Sequence, residues 1–140
     1  MTRDEIVSLL DSRFTALNNR DLTKLMTVHD PKGVVDSPLG GHATGTEAIR
    51  KVYDAWLASF PDALFEVEPA IVDGERVAQV ATVTGTDTGG FMGLPPTGKK
   101  FSMPMVFLFT MRDGKILHER RVYDFTGLMI QLGVLKAKPA

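Results

Sequence analysis

The sequence predicts an α+β fold in which three helices come first and a curved antiparallel sheet follows. Residues 2–60 carry apolar side chains at helical spacing, whereas residues 64–124 alternate between apolar and polar side chains. Short turn sequences rich in Gly, Asp and Asn separate the segments. Because helices grouped before strands pack on one face of a sheet, we expect a ligand cavity between the sheet and the helices.

The composition is that of one ordinary globular domain, which we expect to span residues 1–140. With 16 basic and 17 acidic side chains, the net charge of −1 offers no basic surface for nucleic acid and no polybasic patch for a membrane. The chain has no cysteine, which excludes disulfides and thiolate metal sites. The first residues do not resemble a signal peptide, and no segment has the ~20 apolar residues of a membrane span. We therefore expect a soluble, cytoplasmic protein.

Caps and apolar stripes mark the three predicted helices. Thr2 followed by Glu5 has the spacing of a capping box, and Asp21 is in position to cap a short second helix. A third helix is predicted to begin at Thr46 and to end before Pro61. The side chains expected on the buried stripes of the first and third helices are Ile6, Leu10, Phe14, Leu17, Ile49, Tyr53, Trp56 and Phe60.

The second half of the chain contains four predicted strand segments, and one short strand precedes the third helix. These strands cover residues 33–36, 64–72, 76–88, 101–111 and 116–124. We expect the sheet to turn an apolar face outward, because one face of the alternating strands is too apolar to be left in water. This interpretation predicts a homodimer packed through the outer sheet face. The side chains expected on that face are Val77, Ala81, Val83, and Met105 or Phe107.

Two segments resemble the SnoaL-like polyketide cyclases of the nuclear transport factor 2-like superfamily. Residues 83–101, VTGTDTGGFMGLPPTGKKF, resemble the family's strand ending in Thr-Gly-Thr and the Phe-x-Gly-x-Pro-Pro-Thr-Gly loop after it. Residues 112–135, RDGKILHERRVYDFTGLMIQLGVL, resemble its final strand, which ends in Asp-x-x-Gly-Leu-x-x-Gln-Leu-Gly. The resemblance implies a cone-shaped curved antiparallel sheet wrapped around the three N-terminal helices. It also implies a small hydrophobic or polycyclic carbonyl ligand and no cofactor.

The resemblance implies an acid/base role for one carboxylate. In the polyketide cyclases, the Asp of the last motif is the acid/base of an intramolecular aldol ring closure, and this role falls on Asp124. A weaker resemblance of HDPKGVVDSPLGGHATGTEAIRKVY to the ketosteroid isomerases implies a general base at Asp36. That resemblance also places Phe14 where the isomerases have a tyrosine oxyanion donor.

The residues alone leave other roles open for these side chains. Asp124 can cap a turn over Gly127, and Asp36 precedes Ser-Pro, which is typical of turns. Arg120 shares strand parity with Asp124 and can bind an anionic group or form a salt bridge on the sheet. Three functions therefore stay open: a cyclase or isomerase, a non-catalytic ligand-binding protein, and an epoxide hydrolase built on an Asp–Arg–Asp set.

Five further positions are expected to contact a ligand. Trp56 is expected to line the cavity from the third helix, together with Phe14 from the first and the polar Thr110 near a strand end. Phe91 and Met92 belong to the long loop, where they can cover the cavity mouth or pack against a neighbouring subunit. The three histidines, His29, His42 and His118, lack the spacing of metal ligands, so we predict no metal site.

Overall fold

The computed structural model describes residues 1–136 and confirms the predicted α+β class. Three helices come in the first half of the chain, and a fourth, which the sequence analysis did not predict, follows the last strand. The helices are α1 (Arg3–Asn18), α2 (Leu22–Thr27), α3 (Thr46–Ser59) and α4 (Phe125–Gln131). Within residues 1–136, no helix combines the length and the apolar character that crossing a bilayer requires.

Seven strands form one curved sheet in the order β2-β1-β7-β6-β5-β3, and β4 pairs with β5 beside this path. All neighbouring pairs are antiparallel except β1 and β7, which run parallel. This parallel pair connects the segment before α3 to the last strand of the chain. The strands are β1 (His29–Ser37), β2 (Gly41–Thr44), β3 (Leu64–Val67), β4 (Ile71–Asp73), β5 (Arg76–Thr86), β6 (Lys100–Arg112) and β7 (Lys115–Tyr123).

A local capping signal sets the start of α1, and a contact with a distant residue holds its end. The predicted capping box is present: Thr2 Oγ1 accepts from the Glu5 amide at 3.2 Å, and the Thr2 amide donates to Glu5 Oε2 at 3.2 Å. At the other end, the Asn18 side chain exchanges two hydrogen bonds with the backbone of Phe65, of 2.9 and 3.0 Å. The first helix is therefore fixed against β3 at the residue where it ends.

The loop between β5 and β6 is held by a buried carboxylate. Asp87 accepts hydrogen bonds from the Gly90 amide and from both the amide and the hydroxyl of Thr97, at 3.0–3.2 Å. This loop places Phe91 in the core, where its ring stacks on Phe60 with centroids 5.3 Å apart. The expectation that this side chain covers the mouth of the cavity is therefore wrong.

The apolar face of the sheet is turned inward, which reverses the parity that the sequence analysis assumed. Val77, Ala81, Val83, Met105 and Phe107 are all less than 4% exposed and belong to the core. Alternation alone defines two faces but does not say which of them the helices cover. The outward side chains of the three central strands are the intervening ones, among them Ala78, Val80, Val106, Leu108 and Val122.

An irregularity in β7 changes which side chains of this strand face the core. Thr110 of β6 pairs with His118, whereas Met111 pairs with Ile116, so Leu117 is an extra residue on β7. After this bulge, Glu119, Arg121 and Tyr123 are directed to the covered side, and Arg120 is exposed. The sequence analysis treated the strand as regular and therefore selected Arg120, on the exposed face, rather than Arg121, on the covered face.

Candidate functional site

A small cavity lies between α3 and the adjacent ends of β1 and β7. Its volume is about 40 Å³. Pockets that enclose drug-sized ligands measure roughly 300–1,000 Å³, so this cavity has room for a small polar group but not for a ring system. The side chains and backbone that line it are Ser37, Leu39, Gly40, Val52, Ala55, Trp56, Arg121 and Tyr123.

Two N–H donors on residues that line this cavity are buried and unpaired. Arg121 Nη2 has no hydrogen-bond partner within residues 1–136, and the same holds for Trp56 Nε1 over that part of the chain. Arg121 is 6% exposed and Trp56 is 4% exposed, so water reaches neither side chain freely. Unpaired buried donors are unfavourable, so these two groups are candidates to bind an acceptor atom.

Glu119 holds the guanidinium of Arg121 in place. Its Oε2 accepts from Arg121 Nε at 2.7 Å. Its other oxygen, Oε1, accepts from Arg13 Nη2 at 2.6 Å and from the Tyr53 hydroxyl at 2.5 Å. His29 completes this buried polar cluster, with Nε2 at 3.2 Å from the Tyr53 oxygen. Four elements therefore meet in the cluster: α1, β1, α3 and β7.

The hydrogen bonds assign the tautomer of His29. Tyr53 has one hydroxyl proton, which it donates to Glu119, while its oxygen accepts from Arg13 at 2.8 Å. The contact between His29 Nε2 and the Tyr53 oxygen is then a hydrogen bond only if Nε2 carries the proton. This leaves His29 Nδ1 as a buried acceptor that has no partner in the described chain.

The charges of the cluster follow from burial and from the neighbouring groups. Burial lowers the pKa of His29 to about 4, so the imidazole is neutral near pH 7. Burial raises the pKa of Tyr53 to about 12. For Glu119, burial acts to raise the pKa, but the guanidinium groups of Arg13 and Arg121 outweigh it and hold the pKa well below its usual range.

Aromatic rings surround the guanidinium of Arg13, the other arginine of the cluster. The Arg13 guanidinium carbon lies 4.5 Å from the ring centroid of Phe14 and 5.0 Å from those of Phe107 and Phe109. These contacts are cation–π interactions in a desolvated setting. The space around Arg13 is therefore filled by aromatic side chains.

A shallow depression of about 370 Å³ adjoins the cavity and shares Ser37, Arg121 and Tyr123 with it. Asp36 lies on its wall. Asp36 Oδ1 is 2.6 Å from Nδ1 of His42, and its Oδ2 is 2.6 Å from Nε2 of His118. The hydrogen bond with His42 is the main cause that holds the pKa of Asp36 below its ordinary value. Asp36 is therefore an ionised, solvent-accessible carboxylate beside the cavity.

Asp124 lies outside the cavity, contrary to the orientation that the resemblance implied. Its side chain is exposed, and Oδ1 accepts from the Gly127 amide at 2.8 Å as the N-cap of α4. Arg120 is exposed too: its backbone pairs with Asp36 on β1, and both residues line the depression outside the cavity. The Asp–Arg–Asp set required of an epoxide hydrolase is therefore not assembled around the cavity.

The other sequence-predicted positions are dispersed. Phe14 is a core residue in edge-to-face contact with Phe107, with centroids 5.2 Å apart. Thr110 lines a groove on the outer face of the sheet, and Met92 is 52% exposed in the loop. Of the proposed ligand contacts, the structure brings Trp56 to the cavity. No group of three His, Asp or Glu side chains within residues 1–136 is arranged to hold a metal ion.

Sequence reasoning missed Arg121, Glu119 and Arg13, which carry most of the polar chemistry of the interior. The signal for Arg13 was available, because it falls on the apolar stripe of α1 together with Leu10 and Leu17. A charged residue on a buried stripe needs a buried partner. Glu119 and Arg121 could not be assigned to the interior in the same way, because no local pattern predicts the bulge that places their side chains there.

The chain belongs to the SnoaL-like polyketide cyclase family, whose family model matches residues 8–132. It is 33% identical to the nogalonic acid methyl ester cyclase of Streptomyces nogalater over 94 residues, which is 66% of this chain and 70% of that protein. Among solved structures it is similar to AclR of Streptomyces galilaeus, described as a proposed hydroxylase. AclR superposes with a TM-score of 0.84 at 30% identity, over 99% of this chain and 87% of AclR.

The predicted cone is confirmed by more distant structures. A protein of ketosteroid isomerase-like fold from Catenulispora acidiphila superposes with a TM-score of 0.78 over 94% of this chain and 97% of that one. At 20% identity this similarity concerns the fold alone. The nuclear transport factor 2-like fold that the sequence motifs implied is thereby established, while the relatives carry different named activities.

Proposed function

We propose that this protein catalyses an aldol-type cyclisation or isomerisation of a small carbonyl substrate, with a substrate oxygen bound in the cavity beside Trp56. The observation that carries the proposal is that two residues lining one cavity, Arg121 and Trp56, each have a buried unpaired N–H donor, Nη2 and Nε1. Donors fixed in a buried site stabilise the negative charge that develops on a carbonyl oxygen during enolisation. The fixed position of Arg121 against Glu119 means that this stabilisation needs no rearrangement.

The reaction also needs a base and an acid. We assign proton transfer to Asp36, because it is ionised and lines the depression that continues from the cavity. In this proposal Asp36 takes the proton from the carbon between two carbonyl groups. The enolate carbon then attacks a further carbonyl group of the same molecule and closes the ring. The proton is then returned to the new alkoxide, so that substrate and product are isomers. Asp124, which the resemblance designates, is the competing candidate.

A carboxylate of low pKa is a weak base, which restricts the substrate. The proton removed must be acidic, as it is between two carbonyl groups. The relative from Streptomyces nogalater is named for the cyclisation of nogalonic acid methyl ester, and this ester is therefore the first compound to test. The body of such a molecule is too large for a cavity of about 40 Å³, and the adjoining depression supplies the remaining surface.

The test compares Arg121 with Arg112, an exposed arginine at the far end of β6, in turnover of nogalonic acid methyl ester, followed by chromatography of the closed-ring product. We expect Arg121→Gln to lower kcat by about 10²–10³, the usual effect of losing one oxyanion donor. Arg112→Gln, which changes an exposed side chain that lines neither the cavity nor the depression, should turn over like the wild type. Wild-type turnover that Arg121→Gln leaves unchanged would contradict the assignment of the donor.

Stability must be controlled, because breaking a buried ion pair costs about 3–5 kcal/mol. Each variant is therefore assayed only below its own unfolding transition, measured by circular dichroism. Arg121→Lys provides a second comparison that keeps the positive charge but loses the planar fork. Asp36→Asn should abolish turnover if Asp36 is the base.

A non-catalytic ligand-binding protein is the second candidate function. It is favoured by one observation: neither Asp36 nor Asp124 lines the small cavity itself. In that case the two unpaired donors would serve only for affinity. Specific binding of nogalonic acid methyl ester without ring closure would support this function over the first.

A further inference from the structure

The buried polar cluster carries an uncompensated positive charge. It contains two guanidinium groups, on Arg13 and Arg121, and one carboxylate, on Glu119, which leaves a net charge of +1. Arg13 and Glu119 are 0% exposed, and Arg121 is 6% exposed. Water therefore cannot offset the excess charge as it does at a protein surface.

The other titratable groups of the cluster do not balance this charge. His29 is neutral near pH 7, because burial lowers its pKa to about 4. Tyr53 keeps its proton, because burial raises its pKa to about 12. On the side of β6 the neighbours are the rings of Phe107 and Phe109, which carry no charge.

One of the two guanidinium groups, that of Arg121, belongs to a residue that lines the cavity. Glu119 engages Nε of Arg121 at 2.7 Å, which fixes the plane of the guanidinium. Arg121 Nη2 is left without a partner in the described chain, as are Nε and Nη1 of Arg13, but only Arg121 of the two lines the cavity, together with Trp56 of α3. A guanidinium of this kind binds an ionised oxygen more strongly than a neutral one.

We infer that the cavity takes its ligand as an anion, with an ionised oxygen of the ligand beside Arg121 and Trp56. The inference rests on the proposed function in one respect, since it names the ionisation state of the substrate at that same site. The anionic group enters the cavity, and the body of the ligand lies in the depression that shares Ser37 and Tyr123 with it.

The experiment measures binding, without turnover, of two compounds of the same shape and different charge. The anion is 2-hydroxy-1,4-naphthoquinone, which is ionised as a delocalised enolate at pH 7, and the neutral compound is its 2-methoxy ether. Unsubstituted 1,4-naphthoquinone serves as a smaller neutral control, and it meets no cysteine in this chain. Affinities come from calorimetry, and quenching of Trp56, the only tryptophan of the sequence, reports that binding occurs at the cavity.

The wild type should bind the anion at least about tenfold more tightly than either neutral compound, which corresponds to about 1.4 kcal/mol. Arg121→Gln should bind all three compounds within a factor of about two. Arg112→Gln is the matched control, because it removes an exposed guanidinium that lines neither the cavity nor the depression, and it should keep the full preference. Arg121→Lys, which keeps the charge, should retain a preference for the anion.

Equal affinities in the wild type would overturn the inference, as would a preference that survives in Arg121→Gln. A preference lost in Arg112→Gln would assign the effect to the general charge of the protein surface and overturn it too. The proposed function fails separately. Anion preference without turnover of nogalonic acid methyl ester leaves the inference standing and removes the catalysis, whereas turnover without anion preference does the reverse.

Discussion

At the scale of single residues, the main feature of the interior is a set of buried charges, with Arg13 on α1 and Glu119 and Arg121 on β7. Arg13 lies on the buried stripe of α1, where an apolar residue is the usual choice. Its charge is tolerated because Glu119 binds it at 2.6 Å and because three phenylalanine rings surround it. The same carboxylate positions Arg121, so a residue of α1 acts indirectly on the cavity.

His29 makes the free energy of unfolding depend on pH. Its pKa is about 4 in the folded protein and near 6.5 when unfolded. The neutral form is thus favoured by folding, and its contribution is complete above pH 6.5 and is lost as the pH falls towards 4. The loss amounts to about 3 kcal/mol.

We therefore expect urea denaturation of the wild type to show a steep fall in the free energy of unfolding between pH 6.5 and 4. His29→Gln keeps a side-chain N–H for Tyr53 but does not titrate, so its curve should be flatter over this range. Parallel curves for the two proteins would show that His29 is not the titrating group.

At the scale of elements, the final motif is explained by the docking of α4. Asp124 caps the helix, and a Cβ at position 127 would collide with the Asp124 carboxylate, which explains the glycine there. Leu128 and Leu132 are fully buried. Gln131 Oε1 accepts from the Ser102 amide at 2.8 Å, which ties α4 to β6. The motif therefore has a structural role at each of these positions.

Substitutions at Asp124 separate its capping role from a catalytic one. Asp124→Ala removes the cap and should lower the free energy of unfolding by about 1 kcal/mol. Asp124→Asn keeps an equally good cap and should leave stability unchanged. Both are measured by chemical denaturation.

Turnover by the asparagine variant then decides the role. Retained turnover of nogalonic acid methyl ester in Asp124→Asn would be consistent with proton transfer by Asp36. Its loss in a stable Asp124→Asn protein would assign proton transfer to the motif carboxylate, as the resemblance implied.

At the scale of the whole molecule, the outer face of the sheet retains an apolar row despite the reversed parity. Val80, Val106 and Val122 lie side by side on β5, β6 and β7, and Leu108 is the next outward residue of β6. Val122 is 45% exposed and Leu108 is 36% exposed. An exposed row of this kind, continuous across three strands, favours contact with a second copy of the chain.

We expect the wild type to sediment as a homodimer at micromolar concentration. Placing a charge on this row, in Leu108→Glu or Val122→Glu, should convert it to a monomer, because a buried unpaired carboxylate is strongly unfavourable. Ile130→Glu is the matched control, since Ile130 is 40% exposed on α4 and not on the sheet. A monomeric wild type would exclude the dimer.

The sequence by itself determined the fold class, the family, and most element positions, because these follow from local signals. The capping box at Thr2, the apolar stripe of α3 and the turns at Gly74 and Gly114 act over a few residues, and all of them are present in the structure. The two motifs likewise identified the fold. Their side chains have local structural roles, because they hold the loop between β5 and β6 and the last helix, α4.

Only the tertiary structure decided which side chains face the cavity. A single extra residue, Leu117, reverses the two faces of β7, and its effect depends on pairing with a strand that local sequence does not specify. The placement of Arg121 further depends on Glu119 and Arg13, and the latter is more than 100 residues away in the chain. Long-range pairing of buried charges is a property of the assembled interior, and the candidate site arises from it.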